Sequence, residues 1–214
     1  MPVVRSALEK AREAPSSTKA RILSAAEHVF AAKGFEGAST REIASSAGVN
    51  ISSLHYHWES KETLYFAVFQ DIYDRIVDLV RTSLPAHRDE SAAPSVIDTA
   101  MGRLFDFFAD NPNIPKLLVR RLLESDVGQA EIERDILIPA WKVFSAWQNE
   151  LGARKAKDLD SQLFMLTIHS VLLIFLLDSH QYTSLLGGSV RSPELRRRVR
   201  SHIINLVKTL IARE

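Results

Sequence analysis

Residues 40–58 read TREIASSAGVNISSLHYHW, from Thr40 to Trp58. Two short helices joined by a tight turn at Ala47-Gly48-Val49 account for this order. Ile43, Ala44 and Ala47 are the buried positions of the first helix, with Ala44 small where two helices must cross closely. Gly48 supplies the turn, because glycine takes unusual backbone angles without a Cβ penalty. Asn50 is a good cap for the next helix. Leu54 faces inward, which leaves Ile51, Ser52, Ser53, His55 and Tyr56 around the surface. A short helix that buries little and shows polar and aromatic groups suits the DNA major groove, roughly 12 Å wide, better than a catalytic site.

On the N-terminal side, Ile22, Leu23, Ala26, Val29 and Phe30 form one apolar stripe at helical spacing. They predict a helix over 18–33, capped by Ser17 or Thr18 and ended by Gly34. Residues 1–16 are charged and small and read as a flexible arm. Ser39 or Thr40 caps the helix that runs to Ser46. On the C-terminal side, Ser60 caps a long helix over about 61–82, with Leu64, Val68, Ile72, Ile76, Leu79 and Val80 in register.

Further helices are expected at 94–110, up to 124, at 129–151 with a kink at Pro139, and at 160–182. Pro193 opens a last one. Sustained period-two alternation is absent. The chain is expected to be all-α, with about nine helices. Three parts are expected: a flexible N-terminal arm at 1–16, a helix-turn-helix DNA-binding domain at 17–62, and a ligand-binding and dimerisation domain at 63–214.

Composition narrows the function. The 214 residues are 46% hydrophobic and 25% charged, with net charge +1 and no cysteine. Disulfides, thiolate nucleophiles and cysteine-bound metals are excluded. The longest apolar run, near Phe164 to Leu177, contains Thr167, His169 and Ser170 and is too short for a membrane span of about 20 residues. No membrane partner is expected, and the cytoplasm is the expected location. HExxH, a Gly-rich phosphate loop and G-x-S-x-G are all missing, so no catalytic residue and no cofactor is expected. His55 and His57 point apart on a helix, which argues against a metal site. A net charge of +1 is small for a DNA binder, so dimerisation is expected to double the phosphate contacts.

The run STREIASSAGVNISSLHYHWESKETL, residues 39–64, resembles the TetR family of bacterial transcriptional regulators. The carrying pieces are Ile43-Ala44, Ala47-Gly48-Val49, Leu54, the aromatic cluster before Glu59, and Lys61-Glu62-Thr63-Leu64. They follow the approach AAEHVFAAKGFEGAST. The resemblance covers roughly residues 17–66. It implies a homodimer with two helix-turn-helix heads on helical ligand-binding bodies, in which a small molecule releases a double-stranded DNA operator. It also implies phosphate contacts at Thr40 and Lys61 and a recognition helix opened by Asn50 to Ser53. The sequence departs from the family pattern at His55, where tyrosine is usual, and at Trp58, where phenylalanine usually closes the cluster.

The candidate DNA-binding residues are Thr40, Asn50, Ile51, Ser52, Ser53, His55, Tyr56, His57 and Lys61. For Asn50, adenine readout and capping alone stand side by side. Candidate ligand residues are Phe105, Phe108, Arg120, Glu124, Trp141, Phe144, Met165 and His169, a set that a core would equally provide. Candidate dimer residues are Phe164, Leu172, Phe175, Leu176, Ile203, Leu206 and Leu210. Arg196-Arg197-Arg198 with Arg200 reads as a solvated stripe or a salt-bridge set rather than a second nucleic-acid patch. The function expected is a ligand-responsive transcriptional regulator acting as a repressor. The alternatives are an all-α enzyme or a DNA-binding protein with no small-molecule effector.

Overall fold

A computed structural model describes residues 2–83, 93–123, 129–150, 160–177 and 180–212. Among these residues every regular element is helical, as the sequence predicts. The elements are α1 (Pro2–Glu13), α2 (Thr18–Gly37), α3 (Thr40–Ser46), α4 (Ile51–Trp58), α5 (Lys61–Arg81), α6 (Ala93–Asp110) and α7 (Asn113–Leu123). They continue with α8 (Gln129–Ile132), a π-helical segment (Glu133–Leu137), α9 (Ile138–Glu150), α10 (Ser161–Leu176), α11 (His180–Leu186) and α12 (Pro193–Ala212). The chain divides into two compact units, one formed by Met1–Asp74 with Lys116–Ile138 and the other by Arg75–Pro115 with Pro139–Glu214.

In the first unit the predicted caps hold. Ser17 Oγ accepts from the Ala20 amide, Ser39 Oγ from Glu42, and Ser60 Oγ from Thr63. α2 breaks at Gly34, where φ is 74° and ψ is −178°. That conformation is close to exclusive to glycine. Beyond the break, Phe35 turns into an aromatic cluster. Tyr65 of α5 lies edge-on to Phe30 and to Phe35, both at 5.0 Å, and to Phe69 at 4.9 Å. Burying rings of this size contributes about 1.5–3 kcal/mol each, and the cluster joins α2 to α5.

The flexible arm expected at 1–16 is not what the structure shows. Residues 2–13 form α1, with Val4, Ala7, Leu8 and Ala11 buried. Those positions share one helical face, and α1 packs on α2. Arg12 fixes the far end by reaching Asp71 at 2.9 Å and Asp74 at 3.0 Å on α5. The charges that suggest an arm lie on the outer face of an amphipathic helix.

The single helix expected at 129–151 is α8, the π-helical segment and α9. Proline lacks an amide hydrogen and its ring crowds the carbonyl four residues back. Just before Pro139 the helix widens, with the Ile138 amide bonding to Glu133 O. A π-turn is a known way to absorb such a lesion within a continuing helix.

In the second unit α6, α10 and α12 pack together. Met101, Phe105 and Phe108 of α6, Phe164, Ile168 and Leu172 of α10, and Val199, Ile203 and Val207 of α12 are buried there. Charge pairs run along α6 and α12. Lys208 meets Asp98 at 2.6 Å, Arg200 meets Asp106 at 3.3 Å, and Arg196 meets Asp106 at 2.8 Å and Asp110 at 2.6 Å. The hydrogen bond from Arg196 holds the Asp110 carboxyl below its usual range. Two members of the arginine run are therefore salt-bridge residues within the chain. The apolar helix expected over 160–182 stops at Leu176, and His180–Leu186 forms the separate α11.

Candidate nucleic-acid interface

The turn between α3 and α4 is closed by its own backbone. The Val49 amide donates to Ala44 O at 2.9 Å and the Gly48 amide to Ser45 O at 3.0 Å, with Gly48 at φ 64°. This is the pattern of a Schellman helix ending, for which glycine is the favoured residue. Arg21 of α2 then clamps the turn from outside. Its Nη2 donates to Ala47 O at 2.6 Å and to Gly48 O at 2.9 Å, and its Nε to Ala47 O at 3.2 Å. In sequence, Arg21 reads only as local positive charge.

α4 is anchored on one side and open on the other. Leu54 and Trp58 are buried, and the Trp58 indole N–H donates to Lys19 O at 3.2 Å. Asn50, Ile51, Ser52, His55 and Tyr56 are exposed, while Ser53 and His57 are half-buried. Tyr56, at 84% exposure, has its ring almost wholly in solvent. A tyrosine in that setting contributes little to folding.

Asn50 Oδ1 accepts from the Ser53 amide at 2.7 Å. A bidentate contact to adenine needs that same oxygen, so capping and adenine readout compete. At the other end, Glu59 takes φ 57° and His55 Nδ1 donates to Glu59 O at 3.0 Å. In a neutral ring this leaves Nε2 as an acceptor. His57 is held below the ordinary histidine range, first by burial and then by the charge of Lys19.

Thr40 is half-buried at the first position of α3. Lys61 makes contacts within the head itself. Its Nζ donates to Phe35 O at 3.0 Å and Ala38 O at 3.2 Å and sits 4.1 Å from the centre of the Phe35 ring. Those carbonyls lie just past the break in α2, at the end of the helix; Phe35 O also accepts from the Ala38 amide at 3.3 Å, and the cation adds to it.

The candidate ligand residues are divided between the two units. Arg120 belongs to the first unit, where its guanidinium donates to Ala31 O at 3.0 Å and Ala32 O at 2.8 Å. Phe105 and Phe108 are buried in the second unit. Trp141, Phe144, Met165 and His169 are half-buried, and burial keeps His169 below the ordinary histidine range. Glu124 lies outside the described residues. Of the candidate dimer residues, Phe164, Leu172, Leu176 and Ile203 are buried within the chain itself. Phe175, Leu206 and Leu210 are half-buried. The exposed apolar side chains of α10 are instead Leu163, Leu166 and Ile174. Among the described residues, no helix is long and apolar enough to cross a membrane.

An all-α chain whose first helices frame a clamped helix-turn-helix is built like a helical DNA-binding regulator. Residues 22–68 match the profile described as bacterial regulatory proteins of the tetR family. RutR, an HTH-type transcriptional regulator of Escherichia coli O157:H7, is 33% identical over 142 residues, which span 62% of this chain and 65% of RutR. The match thus takes in just under two thirds of that relative's length. Among solved structures, a regulatory protein in the tetR family from Rhodococcus RHA1 superimposes with TM-score 0.68 at 23% identity, covering 92% of this chain and 97% of that one. FadR from Bacillus subtilis, solved in complex with stearoyl-CoA, gives TM-score 0.64 at 15% identity over 90% and 97% of the two chains. The head of the chain, residues 22–68, matches the tetR-family profile, and the fold resembles that of solved proteins of that family.

Proposed function

We propose that this chain is a ligand-responsive DNA-binding regulator of transcription, a homodimeric repressor released from its operator by a small molecule. The observation that carries the reading is α4. A helix closed at its start by Asn50 and at its end by His55 and Glu59, rooted by Leu54 and Trp58, holds a polar and aromatic face in solvent. Fixed exposure of that kind costs stability and suits insertion into a major groove. Ile51, Ser52, His55 and Tyr56 are the base- and sugar-facing residues in this reading. His57 and the start of α3 at Thr40 lie towards phosphate.

Residues 17–62 serve as the DNA-binding domain and 63–214 as the ligand-binding and dimerisation domain. Leu163, Leu166 and Ile174 make the dimer seam on α10, with Phe175, Leu206 and Leu210 beside it. The half-buried Trp141, Phe144, Met165 and His169 are the residues retained for effector contact. The work is binding rather than catalysis, in the cytoplasm.

Selection of bound duplexes from a random pool tests the proposal. The expected result is a near-palindromic site with half-sites about one helical turn apart, or a multiple of it. Failure to enrich any sequence at moderate salt overturns it.

A further inference from the structure

α4 ends in a turn that ordinary residues avoid. Glu59 has φ 57° and ψ −64°, and the Ser60 amide donates to Trp58 O at 2.6 Å. This is a γ-turn of the strained kind. Among the described residues, Glu59 is the one non-glycine with positive φ. Strain of this sort persists where the surrounding structure holds it, and it gathers at functional sites. Here it bears on His55, one helical turn back. The Glu59 amide donates to His55 O at 2.9 Å, and the Glu59 carbonyl accepts from His55 Nδ1 at 3.0 Å.

A carbonyl oxygen only accepts, so Nδ1 keeps its proton, and in the neutral ring Nε2 carries none. That nitrogen belongs to an exposed side chain. His55 follows Ile51 by four residues and Ser52 by three, and both are exposed. The three share one flank of α4, and its N-terminal part is where a recognition helix meets base edges.

We propose that His55 reads an exocyclic amine of a base, N4 of cytosine or N6 of adenine, through a bare Nε2 that the γ-turn at Glu59 fixes. This rests on the DNA-binding reading above and names the chemistry that one of its residues recognises.

The partner follows by elimination. Phosphate oxygens accept and do not donate, so they offer nothing to a bare ring nitrogen. In the major groove, guanine N7 and O6 and thymine O4 are acceptors too. The donors there are the amines of cytosine and adenine. Tyrosine, usual at this position in the family pattern, has a hydroxyl that both donates and accepts and sets no such rule. A histidine free to turn would take whichever tautomer suits its partner. Tied to Glu59, His55 is held to one, and the tie reduces the cost of ordering the ring on binding.

The test uses the full chain and a duplex selected by wild type from a random pool. Each adenine of a half-site is replaced in turn by unsubstituted purine, and each cytosine by pyrimidin-2-one, so that only the amine is lost. Equilibrium binding of wild type, H55F and H55A is measured at about pH 8, above the range in which an ordinary imidazole takes up a proton. One amine should stand out. Its removal should weaken wild type about fivefold, the scale of one hydrogen bond, and leave H55F and H55A unchanged. Comparing proteins on the same duplex cancels the effect of the missing amine on base pairing. Both variants should keep wild-type affinity for an unrelated duplex, where attraction is to phosphate. If they lose affinity for both duplexes alike, His55 is a phosphate or structural residue and the assignment is overturned. If wild type selects a duplex but no amine is coupled to His55, the assignment falls while the DNA-binding reading stands. If wild type selects no duplex, both fall.

Discussion

The guanidinium of Arg21 lies 2.6 Å from the carbonyl oxygen of Ala47, 26 residues further along the chain. One side chain of α2 thereby holds the turn on which the angle between α3 and α4 depends. Hydrogen bonds from a charged donor contribute about 1.5–3 kcal/mol when buried and less when water competes. R21A should cost about 1–2 kcal/mol in a denaturant titration. It should weaken DNA binding by more than the reduced folded population explains. Retained affinity with lowered stability would show that the turn keeps its shape unaided.

Gly48 tests the same turn through its backbone. At φ 64° an L side chain costs roughly 1–2 kcal/mol, and an added Cβ would stand 3.2 Å from the Arg21 Nη2. G48A should therefore destabilise the head and loosen the clamp together. The combined variant with R21A should lose less than the sum of the two, read from a double-mutant cycle.

Lys61 separates a structural cation from a phosphate contact. Because its amine is spent on Phe35 O and Ala38 O, K61M should lower stability by about 1–2 kcal/mol. The salt dependence of DNA binding should stay nearly unchanged. A shallower slope with unchanged stability would restore the phosphate role expected from the sequence.

His169 gives the second unit a pH dependence of definite sign. Burial lowers its pKa in the folded chain, so the unfolded chain binds more protons just below the ordinary histidine value of about 6.5. Stability is thus full above that value and falls as pH drops from it towards the depressed folded value. H169F should flatten that part of the stability profile relative to wild type. An unaltered profile would mean that other groups set it.

The α10 seam predicts an effect on assembly. Leu163, Leu166 and Ile174 are exposed in the single chain, and a glutamate at the second position would be buried unpaired in a dimer. L166E should raise the dimer dissociation constant at least tenfold, roughly the scale of a hot-spot loss, in sedimentation equilibrium. The monomer should melt cooperatively and bind DNA more weakly. A dimer of undiminished strength would place the seam elsewhere.

What the sequence makes legible is local. The caps at Ser17, Ser39, Asn50 and Ser60 bond within three residues of themselves, and a window of a few residues contains all of that information. Arg21 and Lys61 answer carbonyls 26 residues away, and nothing near a lysine or arginine in sequence says which distant oxygen it will meet. α1 is a different case. Val4, Ala7, Leu8 and Ala11 carry helical spacing, but charged neighbours and two small alanines disguise it as a tail. On α10 the pattern is apolar nearly all round, so periodicity does not separate Phe164, which turns to the core, from Leu163 and Leu166, which do not. That choice is made by where α6 and α12 lie.

At Gly34 the torsions, φ 74° and ψ −178°, are the mirror image of those an ordinary extended residue adopts, so the chain is locally of the opposite hand there. What bars substitution at this codon is handedness, before size or polarity is considered. Among the encoded amino acids only the achiral one passes from Lys33 to Phe35 along this path without strain, and the carbonyl that Lys61 grips lies on the next residue.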